Sequence, residues 1–309
     1  MRIPATWREV ILGLSLPAGV MCALAPTAAW WWPGELACHW GAQGAVLLLP
    51  AVALWAKRPR VSGMLMALVL AGAAPTFLAA WGPRATVPGE GAGLVVASGN
   101  LFVYASPESR AAGVKALEAG DPGIIALAET IESEDRPRVD ATRWPFQVWQ
   151  PPGGRKFRDS VALLSRHPIL SHEILDPEVQ PLLVATLDVQ GRLLHVLVVH
   201  TASPVSPAHT RYRNANYDLI ATTARRLAAT GPVLLLGDFN GSPASPAWDI
   251  LAGAGILRPL REPATWVSLI GPLGIPIDHV LGIGLAIASP EAVTLPGSDH
   301  RGLITRVAW

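Results

Sequence analysis

The sequence predicts an α/β domain that is preceded by three transmembrane helices. Residues 10–32, 36–56 and 61–83 contain no charged residue, and each stretch is about as long as the roughly 20 residues that span a bilayer core. After residue 93, short apolar runs alternate with helical segments and are separated by turns rich in glycine and proline. Runs bounded in this way are typical of strands that are buried in packed sheets.

Tryptophans support the prediction of membrane helices. They cluster near the ends of the uncharged stretches, as they do at membrane interfaces, at Trp30, Trp31, Trp32, Trp40, Trp55 and Trp81. A cleaved signal peptide and a set of buried core helices are the alternatives. Three uncharged stretches in succession, with no clean small-residue cleavage site after the first, favour membrane helices.

Basic residues predict the orientation of these helices. They precede the first stretch and separate the second from the third, at Arg2, Arg8, Lys57, Arg58 and Arg60. The connection after the first stretch carries only Glu35. The positive-inside rule then keeps the N-terminus in the cytoplasm, although it leaves Arg84 outside. We therefore expect a multi-pass protein of the cytoplasmic (inner) membrane, with residues 93–309 on the periplasmic or extracytoplasmic side.

Composition also divides the chain. We predict a membrane domain over residues 1–83, a linker rich in glycine and proline over 84–92, and a second domain over 93–309. Residues 1–88 carry six basic and two acidic residues, whereas the remainder carries 18 basic and 21 acidic ones. A mildly acidic domain lacks the overall charge of a dedicated duplex-DNA binder. Cys22 and Cys38 both precede this domain, so it needs neither a disulfide nor a thiolate metal site.

The second domain alternates between strand and helix signals. Apolar runs predict strands over 94–97, 124–128, 161–164, 182–189, 193–199, 233–236 and 303–307. Helices are predicted over 107–119, 209–229 and 246–254. Ser106 is expected to cap the first of them. The long helix is expected to bury one stripe, formed by Tyr212, Ala215, Leu219, Thr223 and Leu227.

Carboxylate, amide and imidazole side chains lie at or beside the ends of these strands. They are Asn100, Glu129, His200, Asp238, Asn240, Asp278, Asp299 and His300. Asp238 and Asn240, in Gly237-Asp238-Phe239-Asn240, point the same way in an extended chain. Taken alone, this stretch is as compatible with a turn as with a site. Oxygen ligands favour Mg²⁺ or Mn²⁺ over Zn²⁺, and a phosphate hydrolase needs such a cation, a positioned water and a proton source.

The order of these motifs resembles that of the endonuclease/exonuclease/phosphatase superfamily, in its branch with N-terminal transmembrane helices. The resemblance covers residues 93 to 309 and rests on Asn100, Ala126-Leu127-Ala128-Glu129, Leu164-Ser165-Arg166, His200, Gly237-Asp238-Phe239-Asn240, Thr265-Trp266, Ile277-Asp278-His279-Val280 and Gly297-Ser298-Asp299-His300-Arg301. It implies a four-layered α/β sandwich, in which two mixed sheets pack face to face with helices outside. It also implies a metal-dependent phosphoesterase.

The resemblance further implies the metal and water sites. Glu129 would be the main metal ligand, with Asn100 and Asp299 nearby, and the ion would be Mg²⁺ or Mn²⁺. Asp238 would orient or deprotonate the attacking water. Asn240 would hold both the phosphate and Asp238 in place.

The resemblance assigns the acid–base chemistry to two histidines. His300 would contact the scissile phosphate, and Asp278 would accept the proton on its other ring nitrogen. His200 would stabilise charge or protonate the leaving oxygen. Two features depart from the family pattern: Ala128 stands where glutamine often precedes the glutamate, and residues 101–104 are more apolar than expected.

We therefore expect a membrane-anchored phosphoesterase that hydrolyses a phosphodiester or phosphomonoester by metal-assisted water attack. Its substrate would be a nucleic acid, a lipid headgroup or a small phosphoester, and no protein partner is evident. The alternative is a non-catalytic membrane module that binds a phosphorylated ligand in the same pocket. His195 and His279 are expected to be structural, and the basic residues 155–158 to form either a solvated charge run or a phosphate-binding segment.

Overall fold

The computed structural model of the chain describes residues 5–89, 93–150, 160–175 and 182–309. The basic stretch 155–158 lies outside the described residues. The described chain forms two compact units. The first contains Met1–Gly82, Pro204–Arg211 and Gly241–Trp248, and the second contains Pro83–Ser203, Tyr212–Asn240 and Asp249–Trp309.

The first unit is built on three long helices: α1 (Ala5–Leu24), α2 (Trp32–Leu54) and α3 (Pro59–Ala79). By length and composition, three segments are able to cross a membrane: Thr6–Thr27, Trp32–Leu54 and Pro59–Ala79. Two glycines let α2 and α3 approach closely. A Cβ atom added to Gly41 would lie 2.1 Å from the carbonyl oxygen of Gly72. Small residues at such crossings are typical of packed membrane helices.

A segment about 200 residues further along the sequence also belongs to the first unit. This serine loop (Gly241–Trp248) contacts the start of α2. The Ser245 hydroxyl donates to Oε1 of Glu35 at 2.6 Å, and the Ser242 hydroxyl lies 2.8 Å from Nδ1 of His39. Glu35 and His39 are one helical turn apart, and all four side chains are buried. Each of these four buried side chains therefore has a partner on the other segment.

The second unit contains two mixed sheets and the helices around them. The strands are β1 (Leu94–Asn100), β2 (Ile124–Ala128), β3 (Phe146–Trp149), β4 (Val161–Ser165), β5 (Ile169–Leu175), β6 (Leu182–Val189), β7 (Arg192–His200), β8 (Val233–Asp238), β9 (Asp278–Ile283), β10 (Ala286–Ile287), β11 (Glu291–Thr294) and β12 (Arg301–Ala308). The helices that follow α3 are α4 (Pro107–Glu118), α5 (Glu132–Asp135), α6 (Pro207–Leu227) and α7 (Trp248–Gly253).

The strand order defines the sheets. Among the described residues, one sheet has seven strands in the order β10-β12-β1-β2-β4-β3, with β11 paired to β12. The other has five strands in the order β5-β6-β7-β8-β9. The pairs β1–β2 and β7–β8 are parallel, and the remaining pairs are antiparallel.

Strand β2 is buried on both faces, which explains why its sequence is a continuous apolar run. Ile124, Ala126 and Ala128 point into the core between the two sheets. Ile125 and Leu127 point to the opposite face and pack in a second cluster with Val114 and Leu117 of α4. Because side chains alternate along a strand, a strand covered on both faces carries apolar residues at every position. The predicted layering of helix on sheet on sheet is confirmed.

Helix α6 buries a different face from the one that the sequence predicts. Tyr212 is 50% exposed and Ala215 is exposed, so the predicted stripe is wrong at these two positions. Of the other three, Thr223 is buried and Leu219 and Leu227 are half-buried. The buried face instead contains Arg213, Asn216, Tyr217, Ile220, Ala221 and Ala224. Arg213 lies with its guanidinium carbon 5.0 Å from the centroid of the Tyr217 ring. An arginine that stacks on an aromatic ring can be buried, which a hydropathy pattern does not reveal.

Several local predictions are confirmed. The Ser106 hydroxyl accepts the backbone N–H of Ser109 at 3.2 Å and so caps α4. His195 lies between the hydroxyls of Thr186 and Thr230, at 3.0 and 2.9 Å. Trp248 is buried. Burial of the satisfied His195 lowers its pKa, as expected for a structural imidazole.

Candidate active site

The seven-stranded sheet brings Asn100 and Glu129 together. Strands β1 and β2 run parallel, with Asn100 opposite Ala128. Glu129 follows Ala128 directly, so both side chains lie at the carboxyl ends of neighbouring strands. Strand β12 is antiparallel to β1 and begins immediately after His300. The start of β12 therefore faces the same edge as the ends of β1 and β2.

The five-stranded sheet adds three more predicted residues. Strands β7 and β8 are parallel, and His200 lies opposite Asp238. Strand β9 is antiparallel to β8 and begins at Asp278, also opposite Asp238. The hydrogen-bonding registers thus place His200, Asp238 and Asp278 side by side. Loops at the end of a rigid sheet are where binding and catalytic sites are usually built.

The turn after β8 holds Asp238 rigidly. Gly237 has φ 139°, and a Cβ atom there would lie 1.9 Å from the carbonyl oxygen of Val199, so only glycine fits. Asn240 has φ 46°, and its backbone N–H donates to Oδ1 of Asp238 at 2.8 Å. The Asn240 amide donates to the carbonyl oxygen of Thr201 at 2.8 Å. Both ends of the turn are therefore fixed to β7 or to the chain that follows it.

The Asn100 amide links two carboxylates. Its Nδ2 donates to Oε1 of Glu129 and to Oδ2 of Asp238, each at 3.0 Å. Its Oδ1 accepts the backbone N–H of Phe102 at 3.0 Å. The second oxygen of Glu129 accepts the backbone N–H of Val103 at 2.9 Å. The apolar segment after Asn100 thus supplies its main-chain N–H groups, and the polar side chains expected there are replaced by backbone donors.

His300 lies between three carboxylates. Its Nδ1 lies 2.9 Å from Oδ2 of Asp278, in the pairing implied for these two residues. Its Nε2 lies 3.8 Å from Oδ2 of Asp238 and 4.0 Å from Oδ1 of Asp299. His300, Asp278 and Asp238 are buried, whereas the Asp299 side chain is 40% exposed. Nε2 therefore faces the buried Asp238 and the partly exposed Asp299.

His200 is the second imidazole of the cluster. Its Nε2 lies 3.8 Å from Oε1 of Glu129 and 3.9 Å from Oδ2 of Asp238. Two imidazoles, those of His200 and His300, thus lie within 4.0 Å of Oδ2 of Asp238. The structure brings all eight predicted site residues into one connected set, in which each side chain lies within 4.0 Å of another or is held by it.

Burial and charge shift the proton affinities of two of these groups. Burial raises the pKa of Asp238, the Asp278 carboxylate raises it further, and the two histidines offset part of this, so that it reaches about 6. Burial lowers the pKa of His300, but the charges of Asp278 and then Asp238 outweigh it and raise the pKa to about 10. At neutral pH the site therefore contains a carboxylate beside an imidazolium.

Two residues outside the predicted set support it. The Thr265 hydroxyl accepts the backbone N–H groups of Ile277 and Asp278, each at 3.1 Å. The Trp266 indole donates to Oδ2 of Asp299 at 3.0 Å. Thr265 and Trp266 belong to the motifs that carry the family resemblance, and that is the signal by which the sequence marks them.

Two further residues support the site: Ser298, which also belongs to one of those motifs, and Thr201, which carries no such signal. The Ser298 hydroxyl donates to the carbonyl oxygen of Asn100 at 2.7 Å, and the Thr201 hydroxyl donates to that of Phe239 at 2.5 Å. Each is the immediate neighbour of a predicted residue, Asp299 or His200. The carbonyl groups to which these two hydroxyls donate lie far away in sequence, so no local sequence pattern reveals the contacts.

The donors at this site fit a hard divalent cation. Within the described residues, Asp278 Oδ1, Asp299 Oδ1 and His200 Nδ1 are buried atoms that lack a hydrogen-bond partner. Carboxylate oxygens with free lone pairs are suitable ligands for Mg²⁺ or Mn²⁺. Ligand atoms of Asp238, Asp278 and His300 also lie within 4.8 Å of one another. We assign that trio to hydrogen bonding, because Nδ1 of His300 is already paired with Asp278.

Comparison with known proteins supports the same conclusion. A sequence model of the Endonuclease/Exonuclease/phosphatase family matches residues 102–300. This match contains seven of the eight predicted site residues, all except Asn100. The comparison with curated proteins returned no match.

Solved structures share the fold. A humanised D. rerio TDP2 with 14 mutations has 17% sequence identity and a TM-score of 0.60, and the match covers 70% of this chain and 99% of that one. An endonuclease/exonuclease/phosphatase from Beutenbergia cavernae has 16% identity and a TM-score of 0.56, covering 69% and 71% of the two chains.

A third similar structure, sphingomyelinase C from Streptomyces griseocarneus, has 20% identity and a TM-score of 0.53, with 70% of this chain and 99% of that one covered. At these identities the structures establish the fold, and the family model covers well over half of the chain. The site geometry, the two packed mixed sheets and the family match lead to one conclusion: the chain belongs to the endonuclease/exonuclease/phosphatase family, whose members are hydrolases of phosphoesters.

Proposed function

We propose that this protein is a membrane-anchored, divalent-metal-dependent phosphoesterase that cleaves a phosphodiester or phosphomonoester by direct attack of water. One observation carries the proposal: an amide–carboxylate pair and an imidazole–carboxylate pair converge on one oxygen of the buried Asp238. Nδ2 of Asn100 lies 3.0 Å from Oδ2 of Asp238, and Nε2 of His300 lies 3.8 Å from the same atom. This convergence supports a base, a cation site and an acid that act around one point.

Glu129, Asn100 and Asp299 would hold the metal ion, Mg²⁺ or Mn²⁺. When bound, the ion neutralises the charge that develops on the phosphoester oxygens. The backbone N–H of Val103 and the Trp266 indole each occupy one oxygen of Glu129 or Asp299. Such contacts orient a carboxylate toward an ion. Oδ1 of Asp299 has no hydrogen-bond partner, whereas Oε1 of Glu129 accepts from the Asn100 amide and would give up that contact to bind the ion.

Asp238 would position and deprotonate the attacking water. Its Oδ1 is held by the backbone N–H of Asn240, which leaves Oδ2 directed into the site. A pKa of about 6 keeps the carboxylate ionised at neutral pH and still makes it a better base than an ordinary aspartate. Asn240 would also orient the substrate phosphate.

His300 would bind the phosphate as a cation and donate from Nε2. Asp278 accepts the proton of Nδ1 at 2.9 Å, which fixes both the ring orientation and the atom that faces the substrate. His200, whose Nε2 lies 3.9 Å from Oδ2 of Asp238, would stabilise charge on the leaving oxygen or protonate it. No side chain needs to form a covalent intermediate in this scheme.

The test is hydrolysis of bis-p-nitrophenyl phosphate and p-nitrophenyl phosphate by the purified full-length protein, with Mg²⁺, with Mn²⁺ and with EDTA. Activity should require one of the two metals. Asp238→Asn should abolish it, because the amide keeps the shape of the side chain but cannot accept the proton. Asp218→Asn, an exposed site on α6, is the matched control and should leave the rate unchanged. Binding of a phosphorylated ligand without turnover would instead favour a non-catalytic module.

We also propose that residues 1–83 form the membrane domain, 84–92 the linker and 93–309 the catalytic domain, which lies on the extracytoplasmic side of the inner membrane. The basic residues before the first helix and between the second and third support this orientation. Alkaline phosphatase fused at Trp309 should be active and the same enzyme fused at Met1 should be inactive. The reverse pattern would refute the orientation.

A further inference from the structure

An apolar loop with unusual exposure lies in the second unit. This apolar loop (Ser268–Leu273) carries Leu269, which is 91% exposed, Leu273, which is 69% exposed, and Ile270, which is 41% exposed. Residues 263–277 contain no charged residue. Single exposed leucines are common, but three large apolar side chains on one uncharged loop indicate a surface that is covered in use.

The apolar loop is fastened to the proposed metal-binding segment. The backbone N–H of Ser268 donates to the carbonyl oxygen of Asp299 at 2.8 Å, and the Ser268 hydroxyl donates to that of Ser298 at 3.0 Å. Trp266, just before the loop, donates to the Asp299 side chain at 3.0 Å. Anything that covers the loop therefore also lies beside the active site.

The backbone of the apolar loop is partly satisfied from within. The N–H of Ile270 donates to the carbonyl oxygen of Val267 at 3.2 Å, and that of Gly274 donates to Gly271 at 3.1 Å. The Ser268 hydroxyl is paired as well. A segment whose polar groups bond internally loses fewer water contacts when it enters an apolar medium.

The apolar medium would be the bilayer that holds the three N-terminal helices. Helix α3 ends at Ala79 and strand β1 begins at Leu94. The residues between them span at most about 50 Å when fully extended, so the second unit stays within that distance of a bilayer that holds the helices. An uncharged, leucine-rich loop is suited to lipid acyl chains, whereas a protein interface would more often carry aromatic and arginine side chains.

We infer that the apolar loop inserts into the bilayer and that the substrate is the phosphoester of a membrane lipid, taken from the bilayer surface. This inference rests on the proposed phosphoesterase function. Leu269, Ile270 and Leu273 contact acyl chains, while the lipid phosphate reaches His300 and the metal site from the same side. Water attacks the phosphorus, the bond from phosphorus to the leaving oxygen breaks, and that oxygen takes up a proton.

Insertion is tested without any activity measurement. Full-length protein with Leu269→Cys is labelled with the fluorophore NBD and reconstituted in phosphatidylcholine vesicles that contain lipid with a nitroxide at acyl carbon 5. Quenching of the label is expected. Leu193→Cys is the control, because Leu193 is 44% exposed and lies at the end of β7 opposite to His200. Both native cysteines are buried, so we expect them to react little with the fluorophore. The unsubstituted protein, treated in the same way, measures this background labelling.

The lipid substrate is tested with the double variant Leu269→Ser/Leu273→Ser. On vesicles of phosphatidylcholine, phosphatidylglycerol or sphingomyelin, kcat/KM for at least one lipid should fall by about tenfold or more, since burying two leucines is worth more than that in affinity. The rate on soluble bis-p-nitrophenyl phosphate should stay within about twofold, because the substitutions remove no group that contacts the reacting atoms. Leu193→Ser should change neither rate.

The outcomes separate the two proposals. A label at residue 269 that is quenched no more than one at residue 193 overturns insertion. A protein that cleaves bis-p-nitrophenyl phosphate but none of the three lipids overturns the lipid substrate and leaves the phosphoesterase function intact. If the unsubstituted protein cleaves neither bis-p-nitrophenyl phosphate nor any of the three lipids, the proposed function is refuted. The quenching result still decides whether the loop inserts.

Discussion

His300 and Asp278 lie 2.9 Å apart through Nδ1 and Oδ2, although they come from the starts of two strands in different sheets. The contact leaves Nε2 as the ring nitrogen that faces Asp238. It therefore determines both the charge of His300 and the direction in which it donates. The two sheets are joined at the active site by a bond that catalysis would use.

Replacing Asp278 with asparagine should separate these two effects. The amide oxygen of the new side chain can still accept the Nδ1 proton, but the charge that contributes most to raising the pKa of His300 is gone. We expect the rate on bis-p-nitrophenyl phosphate to fall by about 10- to 100-fold at neutral pH. The alkaline limb of the pH–rate profile should move to lower pH, because the weaker imidazolium loses its proton earlier. An unchanged limb would mean that His300 does not act as a cation; Asp218→Asn again serves as the control.

Trp266→Phe should weaken metal binding. The substitution keeps an aromatic ring but removes the donor to Oδ2 of Asp299, which lies 3.0 Å away. Loss of such an outer contact typically costs about 10- to 100-fold in metal affinity. The measurement is the Mg²⁺ or Mn²⁺ concentration that gives half-maximal activity. Trp149→Phe, on β3 at an end of the seven-stranded sheet, also removes an indole donor and should leave that concentration unchanged.

Glu262 should make the fold sensitive to acid. Burial acts to raise the pKa of Glu262, but His279 and Arg258 outweigh it, and the pKa is lowered. Because the folded state binds this proton less tightly, the stabilisation is complete above the unfolded pKa of about 4.3 and is lost as the pH falls through the folded value.

Thermal unfolding of the full-length protein measures this effect. Glu262→Gln should lower Tm at pH 7, since removing one partner leaves buried positive charge and typically costs about 3 kcal/mol or more. The variant should also lose less Tm than the native protein when the pH drops below about 4.3. Parallel Tm curves for the two proteins would show that Glu262 has the same proton affinity folded and unfolded.

Two glycine substitutions should have opposite outcomes. Gly237→Ala places a Cβ atom 1.9 Å from the carbonyl oxygen of Val199 at φ 139°, so we expect loss of folded protein or of activity. Gly253→Ala, at the end of α7, meets no atom within 4 Å and should leave the stability unchanged or raise it by up to about 1 kcal/mol, roughly the helix propensity difference. The check is yield, Tm and hydrolysis of both variants. Normal activity of Gly237→Ala would contradict the assigned turn geometry.

The sequence predicts the strands and the site better than the surroundings of the site. Runs such as 124–128 reveal burial on both faces because their composition alone carries the signal. Polar residues at strand ends are equally visible, and the parallel pairing of β1 with β2 and of β7 with β8 brings them together. The convergence follows from topology that the family resemblance implies.

What the sequence hides is the identity of distant partners. Arg213 is fully buried because it stacks on Tyr217 and donates to the carbonyl oxygen of Asn240 at 3.4 Å, and neither contact leaves a hydropathy signal. The same is true of Ser245, whose partner Glu35 is 210 residues away. An amphipathic pattern predicts which apolar residues face the core. Arg213 and Ser245 are polar, and specific polar contacts bury them instead.

The serine loop has a consequence for any shortened form of this protein. A fragment that begins at Pro83 would keep all eight site residues but would lose α2, against which Ser242 and Ser245 are held. Those hydroxyls would then turn to water, and the chain leaving Asn240 would gain freedom on its downstream side. Rate constants measured on such a fragment would therefore describe a looser site than that of the full-length chain.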